Sequence, residues 1–402
     1  MAAKSVYVHV GLPKTGTTYI QSALWQSRER LASAGCLVPG PGPQAMWYAA
    51  SDFLGRRPRG AEAPQAKGAW EAVAAAVREW DGDRAILSRE LLGTATRRQA
   101  ERLVRSLAPA DVHVVVTVRD LPSMLPSVWQ QEVRKGRTWT WAEFVAAVRD
   151  PDTGPPSAGV AFWLRYDVER ILRLWSTVVP PDRVHAVLVP PRGTPPEALL
   201  ERFAQATGVD SSLLTTAELS ANTSLGVVET EALRRLNVAL AGSLNEREYT
   251  WVVGRSVVPA LRANSMSTRA GVPDEHHAWF AARSQRVAAF LQDHPGEVVG
   301  DVTELSSPPG PDQTVDPDGL PDGALLQPME VALAAVSRAH GRYWTKTRRR
   351  VDGAPISFPE RLSGGARAAS YRAKATLLQR ADHSRLFGRL ARAYLKPDLP
   401  DD

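Results

Sequence analysis

A chain of 402 residues with 44% hydrophobic side chains is long enough to bury a sizeable core as one large domain or two smaller ones, which points to a globular protein. Its single cysteine, Cys36, excludes an internal disulfide and a cysteine-based metal cluster, and suits a reducing compartment. The net charge of +6 does not argue for nucleic-acid binding: from Arg342 to Lys396, 11 Arg and 3 Lys face only Asp352, Glu360 and Asp382, so the excess belongs to one end of the chain.

The opening MAAKSVYVHV runs into a strand without a signal-peptide core, and no apolar stretch nears the ~20 residues that span a bilayer. A soluble, unexported, cytoplasmic protein is therefore expected. Strands are predicted at Val6–Val10, Ala85–Ser88, His113–Val118 and Val184–Val189, each rich in Val or Ile and nearly free of charge, as strands buried on both faces should be. Between and after them helices are predicted over Thr17–Ala34, Gln65–Trp80, Arg97–Leu107, Ser127–Lys135, Trp141–Val148, Asp167–Val178 and Pro196–Ala206, with Gly35 and Gly208 at helix C-termini. Such alternation predicts an α/β fold, a parallel sheet flanked by helices.

Pro39–Gly60, with Pro, Gly and three aromatics, breaks the rhythm and reads as a loop insertion near the sheet's carboxyl edge. A helix is expected at Gly226–Ala241. Residues 306–327, dense in Pro, Asp and Gly, read as a linker between residues 1–305 and a basic helical C-terminal extension, 328–402, with helices at Glu330–Ala339 and Ala366–Tyr394.

The first strand ends in Gly11-Leu-Pro13-Lys14-Thr15-Gly16-Thr17-Thr18 and enters an amphipathic helix. A loop there aims backbone N–H groups and a helix N-terminus at one spot, which makes an anion site. In the Walker A pattern, GxxxxGK[ST], lysine follows the second glycine. Here Thr17 holds that place and Lys14 lies two residues before Gly16. Pro-Lys-Thr-Gly-Thr-Thr resembles the 5′-phosphosulfate loop of sulfotransferases that use 3′-phosphoadenosine 5′-phosphosulfate (PAPS). The resemblance implies a P-loop NTPase-like sulfotransferase fold over 1–305, with Pro13, Lys14, Thr15, Gly16, Thr17 and Thr18 around the donor. It also implies that Lys14 contacts the bridging oxygen that leaves, and that no metal takes part.

The strand HVVVTV leads to Arg119, and Ser127 follows eight residues later, at the predicted start of a helix. This resembles the family's 3′-phosphate motif, in which Arg supplies a bidentate fork and the hydroxyl one more hydrogen bond. Pro122 stands three residues after the arginine instead of two, and Trp129 replaces the usual Tyr or Phe.

An acceptor hydroxyl needs a base, and Glu90, just past Ser88-Arg89 at the carboxyl end of a strand, is the candidate, with Arg89 as a phosphosulfate or substrate contact; the alternative is a Glu–Arg surface pair. His9 and His113 lie inside strands and read as packed residues. Asn222 and Ser224 precede a helix and read as caps rather than nucleotide contacts. Trp47, Tyr48, Phe53, Trp139, Trp141 and Trp163 are either core or a stacking surface for a sugar or aromatic acceptor.

The expected function is sulfuryl transfer from PAPS to a hydroxyl or amine of a carbohydrate or small metabolite. Two rivals stand beside it: a magnesium-dependent nucleotide kinase or NTPase, and a non-catalytic anionic-ligand binder built on the basic C-terminus. For that terminus a packed helix is favoured over a membrane-surface anchor.

Overall fold

Along β1 (Ser5–Gly11), Val6, Val8 and Val10 face one side of the strand while Tyr7 and His9 face the other, and all three valines are buried. The same alternation runs through β3 (Arg84–Ser88), β4 (Asp111–Val118) and β5 (Val184–Leu188), after the short β2 (Cys36–Leu37). Later come the two-residue strands β6 (Arg269–Ala270), β7 (Val298–Val299) and β8 (Thr314–Val315). Six strands pair in parallel in the order β2-β3-β1-β4-β5-β7, and β6 pairs with β8 in a separate ribbon. The computed structural model describes residues 4–56, 64–215, 225–265, 269–306 and 314–351. Two compact units divide the chain, Met1–Val336 and Ser337–Asp402, and the whole sheet lies in the first.

The helices are, in order, α1 (Thr17–Gln26), α2 (Arg28–Ser33), α3 (Ala45–Phe53), α4 (Ala69–Glu79), α5 (Arg97–Ser106), α6 (Leu121–Val133), α7 (Trp141–Arg149) and α8 (Gly159–Tyr166). They continue with α9 (Val168–Ser176), α10 (Glu197–Thr207), α11 (Val227–Leu240), α12 (Glu246–Tyr249), α13 (Val258–Ala263), α14 (Asp274–Gln292) and α15 (Asp322–Val351). One sheet face, with Ile86, Val115 and Val187, packs on Ile20 and Leu24 of α1 and on Leu199 and Phe203 of α10. The opposite face, with Val8, Leu87, Val114 and Ala186, carries the larger core, including Leu103, Leu125, Trp129 and Leu172. Each such side chain contributes about 1.5–3 kcal/mol on burial, so the two layers hold the sheet.

The α/β parallel architecture and the four long strands agree with the sequence. Several helix boundaries do not. The helix expected over Thr17–Ala34 breaks at Ser27 into α1 and α2. The Pro39–Gly60 loop contains α3, where nine residues free of Pro and Gly bury Ala49, Ala50 and Phe53, the last against Trp70 with ring centroids 4.6 Å apart. Helix α6 starts at Leu121, six residues before Ser127. Asp120 caps it by accepting from the Ser123 N–H at 2.8 Å, and Pro122 sits in its first turn, where a missing N–H costs nothing. Pro126 therefore lies inside the helix.

Within the stretch read as a linker, β8 pairs with β6, and Asp318 accepts from the N–H groups of Trp141 at 3.0 Å and Ala142 at 2.7 Å, at the start of α7. Asn222, Ser224 and the helix expected over Ala366–Tyr394 lie outside the described residues. Among the described residues no helix is long and apolar enough to cross a membrane. Cys36 is buried at 2% exposure, which pushes its thiol up to about 11 and keeps it protonated.

Candidate active site

Strand register decides which residues meet at the carboxyl edge. His9 of β1 lies opposite Ser88 of β3, and Gly11 lies opposite Val116 of β4. The loop after β1, Glu90 after β3 and Arg119 after β4 therefore emerge side by side, where open α/β sheets bind ligands.

Beneath the loop a chain of polar groups crosses three strands. His9 is wholly buried, with Nδ1 2.8 Å from Ser88 Oγ and Nε2 3.1 Å from Thr117 Oγ1. Thr117 Oγ1 donates to the Gly11 carbonyl at 2.9 Å, and Thr15 Oγ1 lies 2.5 Å from Thr117 Oγ1 and 2.5 Å from the Leu12 carbonyl. Burial pushes His9 down to about 4, so the ring is neutral, and its edge packs on Phe203 at 5.2 Å. The loop is thus pinned from below by Thr15 and by the Leu12 N–H, which donates to the Thr117 carbonyl at 2.9 Å.

Pinning fixes what faces outward. Gly16, at φ +81°, starts α1, and a Cβ there would lie 2.3 Å from Leu199 Cδ2. No side chain caps α1, which leaves its first N–H groups without a side-chain acceptor at the end of the loop. Lys14 takes φ +66°, a left-handed conformation that costs a non-glycine residue on the order of 1–3 kcal/mol and persists only where surrounding contacts impose it. Its ammonium has no hydrogen bond or ion pair among the described residues. Burial, then the charges of Arg134 and Lys135, push it down to about 8. Pro13 is half-buried, Thr17 is buried at 5% exposure and Thr18 is exposed.

Glu90 opens a 3₁₀ turn, Glu90–Thr94, and its Cβ and carbonyl oxygen lie against Gly11, so a Cβ on Gly11 would sit 3.5 Å from each. Its carboxylate accepts from Gln21 Nε2 at 2.8 Å and faces Arg89 at 3.3 Å. The negative charge of Glu90 reaches both Lys14 and Tyr166. The structure thus brings Lys14, Glu90 and Arg89 to one place.

Arg119 and Ser127 are less directly related. Arg119 pairs with Asp120 at 3.8 Å and lines a cavity with Trp163, Tyr166 and Arg283, whereas Ser127, in the second turn of α6, opens beside Gln130, Thr230 and Arg269. Arg269 joins the two: it lines Ser127's cavity, and the positive charge of Arg119, after burial, pushes it down. Arg269 also lines a cavity of about 410 Å³ with Ser123, Arg192, His277 and Phe280. Of the aromatic candidates, Phe53 and Trp141 are core residues, while Trp47 faces a small cavity shared with Gln21, Ser88 and Arg89.

The sequence reasoning missed Gln21, Thr117, Arg134, Lys135 and Arg269. Gln21 alone carried a usable signal, one helical turn past Thr17 on the helix that leaves the loop.

No family model matches the chain, and no curated protein matches it. Among solved structures, a sulfotransferase from Alicyclobacillus acidocaldarius is similar over 60% of this chain and 94% of its own, with 16% sequence identity and a TM-score of 0.35. At that degree of likeness neither the fold nor the activity of this chain rests on it.

Proposed function

We propose that this chain is a sulfotransferase that moves the sulfuryl group of PAPS to a hydroxyl or amine of a carbohydrate or small-metabolite acceptor. The observation that carries this is the half-buried ammonium of Lys14 inside the loop, two residues before Gly16, with no hydrogen bond or ion pair among the described residues, in a loop that leads into the uncapped start of α1 and within reach of the charge of Glu90.

The 5′-phosphosulfate lies on the loop Pro13–Thr18, held by the first N–H groups of α1, and the 3′-phosphate is taken by Arg119 and Ser127. Glu90 accepts the acceptor's proton as the acceptor oxygen forms its bond to sulfur. The bond from sulfur to the bridging oxygen breaks with its electron pair moving to that oxygen, where Lys14 meets the growing charge. Beside this proton transfer, the protein contributes mainly positioning and charge stabilisation. A low-dielectric setting strengthens the Lys14 contact, and the lysine stays mostly charged at pH 7 with a pKa of about 8.

Calorimetry with PAPS, and with its product 3′-phosphoadenosine 5′-phosphate (PAP), in the presence of a chelator tests the reading. Binding of both is expected without metal, together with transfer of label from radioactive PAPS to a hydroxylated acceptor. Tight binding of ATP with magnesium and none of PAP would overturn it.

A further inference from the structure

The order of the strands leaves one side of the proposed base without a task. Strands β3 and β2 lie on one side of β1, and β4 lies on the other. The donor's two anionic ends are assigned to the loop after β1 and to Arg119 after β4. Glu90 follows β3 and stands at the border of that ground, so the carboxyl ends of β3 and β2 remain for the acceptor.

A narrow cavity opens there, between α1, residues 38–43 after β2, and the start of α3. Its walls are apolar and aromatic: Leu24 and Trp25 of α1, Pro39 and Pro43, and Met46 and Trp47 of α3. Both tryptophans are only half-buried, and the Arg28 guanidinium lies over the Trp25 ring, 4.6 Å from its centroid. The polar end of the cavity is made by Gln21, Ser88 and Arg89. Gln21 and Arg89 are the side chains that hold the Glu90 carboxylate, at 2.8 and 3.3 Å, so an occupant ends one side chain away from the proposed base. The Gln21 amide is used at both ends, since its oxygen accepts from Arg89 at 3.4 Å, and Ser88 Oγ lies 2.8 Å from His9 Nδ1. Arg89 Nε is buried without a partner, a donor that an acceptor's oxygen satisfies.

Size and chemistry together choose the occupant. At about 40 Å³ the cavity exceeds by little the ~30 Å³ that one water takes in the liquid, so a sugar ring with its hydroxyls does not enter. Such hydroxyls would also give up water for apolar walls and for polar groups already engaged. The edge of an aryl ring, or the end of an alkyl chain, gives up nothing and gains contact with two indoles. We propose that this cavity takes the apolar group of the acceptor, whose hydroxyl is then carried by an aryl or alkyl group and not by a sugar. This rests on the proposed transfer, because Glu90 defines where the hydroxyl stands, and it takes the small-metabolite side of that reading. Trp25 and Trp47 set specificity by touching the acceptor's body and reach no reacting atom.

The test uses the full chain saturated with PAP and measures by calorimetry the binding of 4-methylphenol and 1-hexanol against methyl glucoside. At least one of the two apolar compounds is expected to bind about tenfold or more tightly than the glucoside, as burial of about two CH₂ groups gives, and the tighter of them tells a ring from a chain. Gly42 lines the cavity without a positive φ, and a Cβ on it meets nothing within 4 Å, so Gly42→Leu fills the space at little cost to the fold. The preference should fall to near unity in Gly42→Leu and shrink severalfold in Trp47→Ala, with the PAP-induced rise in melting temperature retained. Equal binding of all three compounds would overturn the inference. So would a preference undiminished in both variants while their melting temperatures show them folded. If PAP gave no rise in the parent protein the donor reading would fail instead, and the same preference, read on the free protein, would still decide the cavity.

Discussion

Gln21 Nε2 donates to Glu90 Oε2 over 2.8 Å while the same amide's oxygen accepts from Arg89 at 3.4 Å, so helix α1 holds the carboxylate that follows β3. One helix therefore carries both the uncapped amides that follow the loop and the side chain that directs the proposed base. Glu90→Gln is expected to lower turnover about 10²- to 10⁴-fold with PAP affinity little changed, the effect of removing a general base. Gln21→Leu should lower kcat by about tenfold through misorientation and cost roughly 1 kcal/mol of stability. Single-turnover kinetics beside PAP calorimetry checks both, and near-normal turnover in Glu90→Gln would move the base elsewhere.

Lys14 is held at about 8 in the free protein, below the ordinary lysine value of 10.5. A bound anion favours the charged form and raises that value, so between pH 8 and 10.5 donor binding takes up a proton. At pH 9, PAP titrations in buffers of different ionisation enthalpy should give different heats, and Lys14→Ala should abolish the difference. Lys14→Ala should also depress turnover far more than PAP affinity, because the contact strengthens as charge builds on the leaving oxygen.

The same depressed value has a stability side. Over pH 8 to 10.5 the unfolded chain binds the proton that the folded chain has shed, so Lys14's contribution rises with pH and is unfavourable below 8. Lys14→Met is expected to melt higher than the parent protein at pH 7 while losing activity. An unchanged or lower melting temperature would show that the ammonium is not desolvated at a cost.

His9, pushed down to about 4 by burial, acts in the opposite pH range. Between pH 6.5 and 4 the unfolded chain takes up a proton that the folded ring refuses. Stability is therefore lost on acidification through this window, on the order of 3 kcal/mol by pH 4 from this group. His113, also near 4, adds a loss in the same direction. His9→Gln should melt lower at pH 7, since the Ser88–His9–Thr117 chain is broken, and show a shallower fall in melting temperature with acid. A parallel fall in both proteins would locate the acid sensitivity elsewhere.

Arg119→Ala is expected to weaken PAP binding by about 2–4 kcal/mol, as loss of a desolvated charge partner does, with kcat at saturating donor nearly unchanged. Ser127→Ala should cost about 1 kcal/mol. Calorimetric affinities for PAP and for adenosine 5′-phosphosulfate, which lacks the 3′-phosphate, check the assignment. Equal losses for the two ligands would place Arg119 away from the 3′-phosphate.

The parts of this site that follow one another along the chain were legible. A Val-rich strand, two glycines, a lysine and a helix make the loop recognisable, and the central strands stand out because both of their faces are buried. What escaped was set through space. Arg134 and Lys135 lie 120 residues or more from Lys14 in sequence, and nothing local marks their approach. Strands β2 and β7 are two residues each, too short to show any period. In α14 the buried positions His276, Phe280, Ser284 and Leu291 have helical spacing, but two are polar, which hides the stripe from an apolar pattern. Two prolines four residues apart obscured where α6 begins, because Pro122 suits a first turn and Pro126 imitates another.

The pairing of Ala186 with Val298 bears on how the molecule is made. Strands β3, β1 and β4, which carry the loop and its buried polar chain, are complete within the first 118 residues, whereas β5 waits for a partner strand more than 110 residues further on. During synthesis β5 presents its free side, with unpaired N–H and C=O groups, until Val298 and Val299 have left the ribosome. Parallel pairings across such separations form slowly and leave intermediates prone to sticking edge to edge. A chain that stops between β5 and β7 therefore has its loop in place and its sheet unfinished, and it is the open side of β5 that its neighbours will find first.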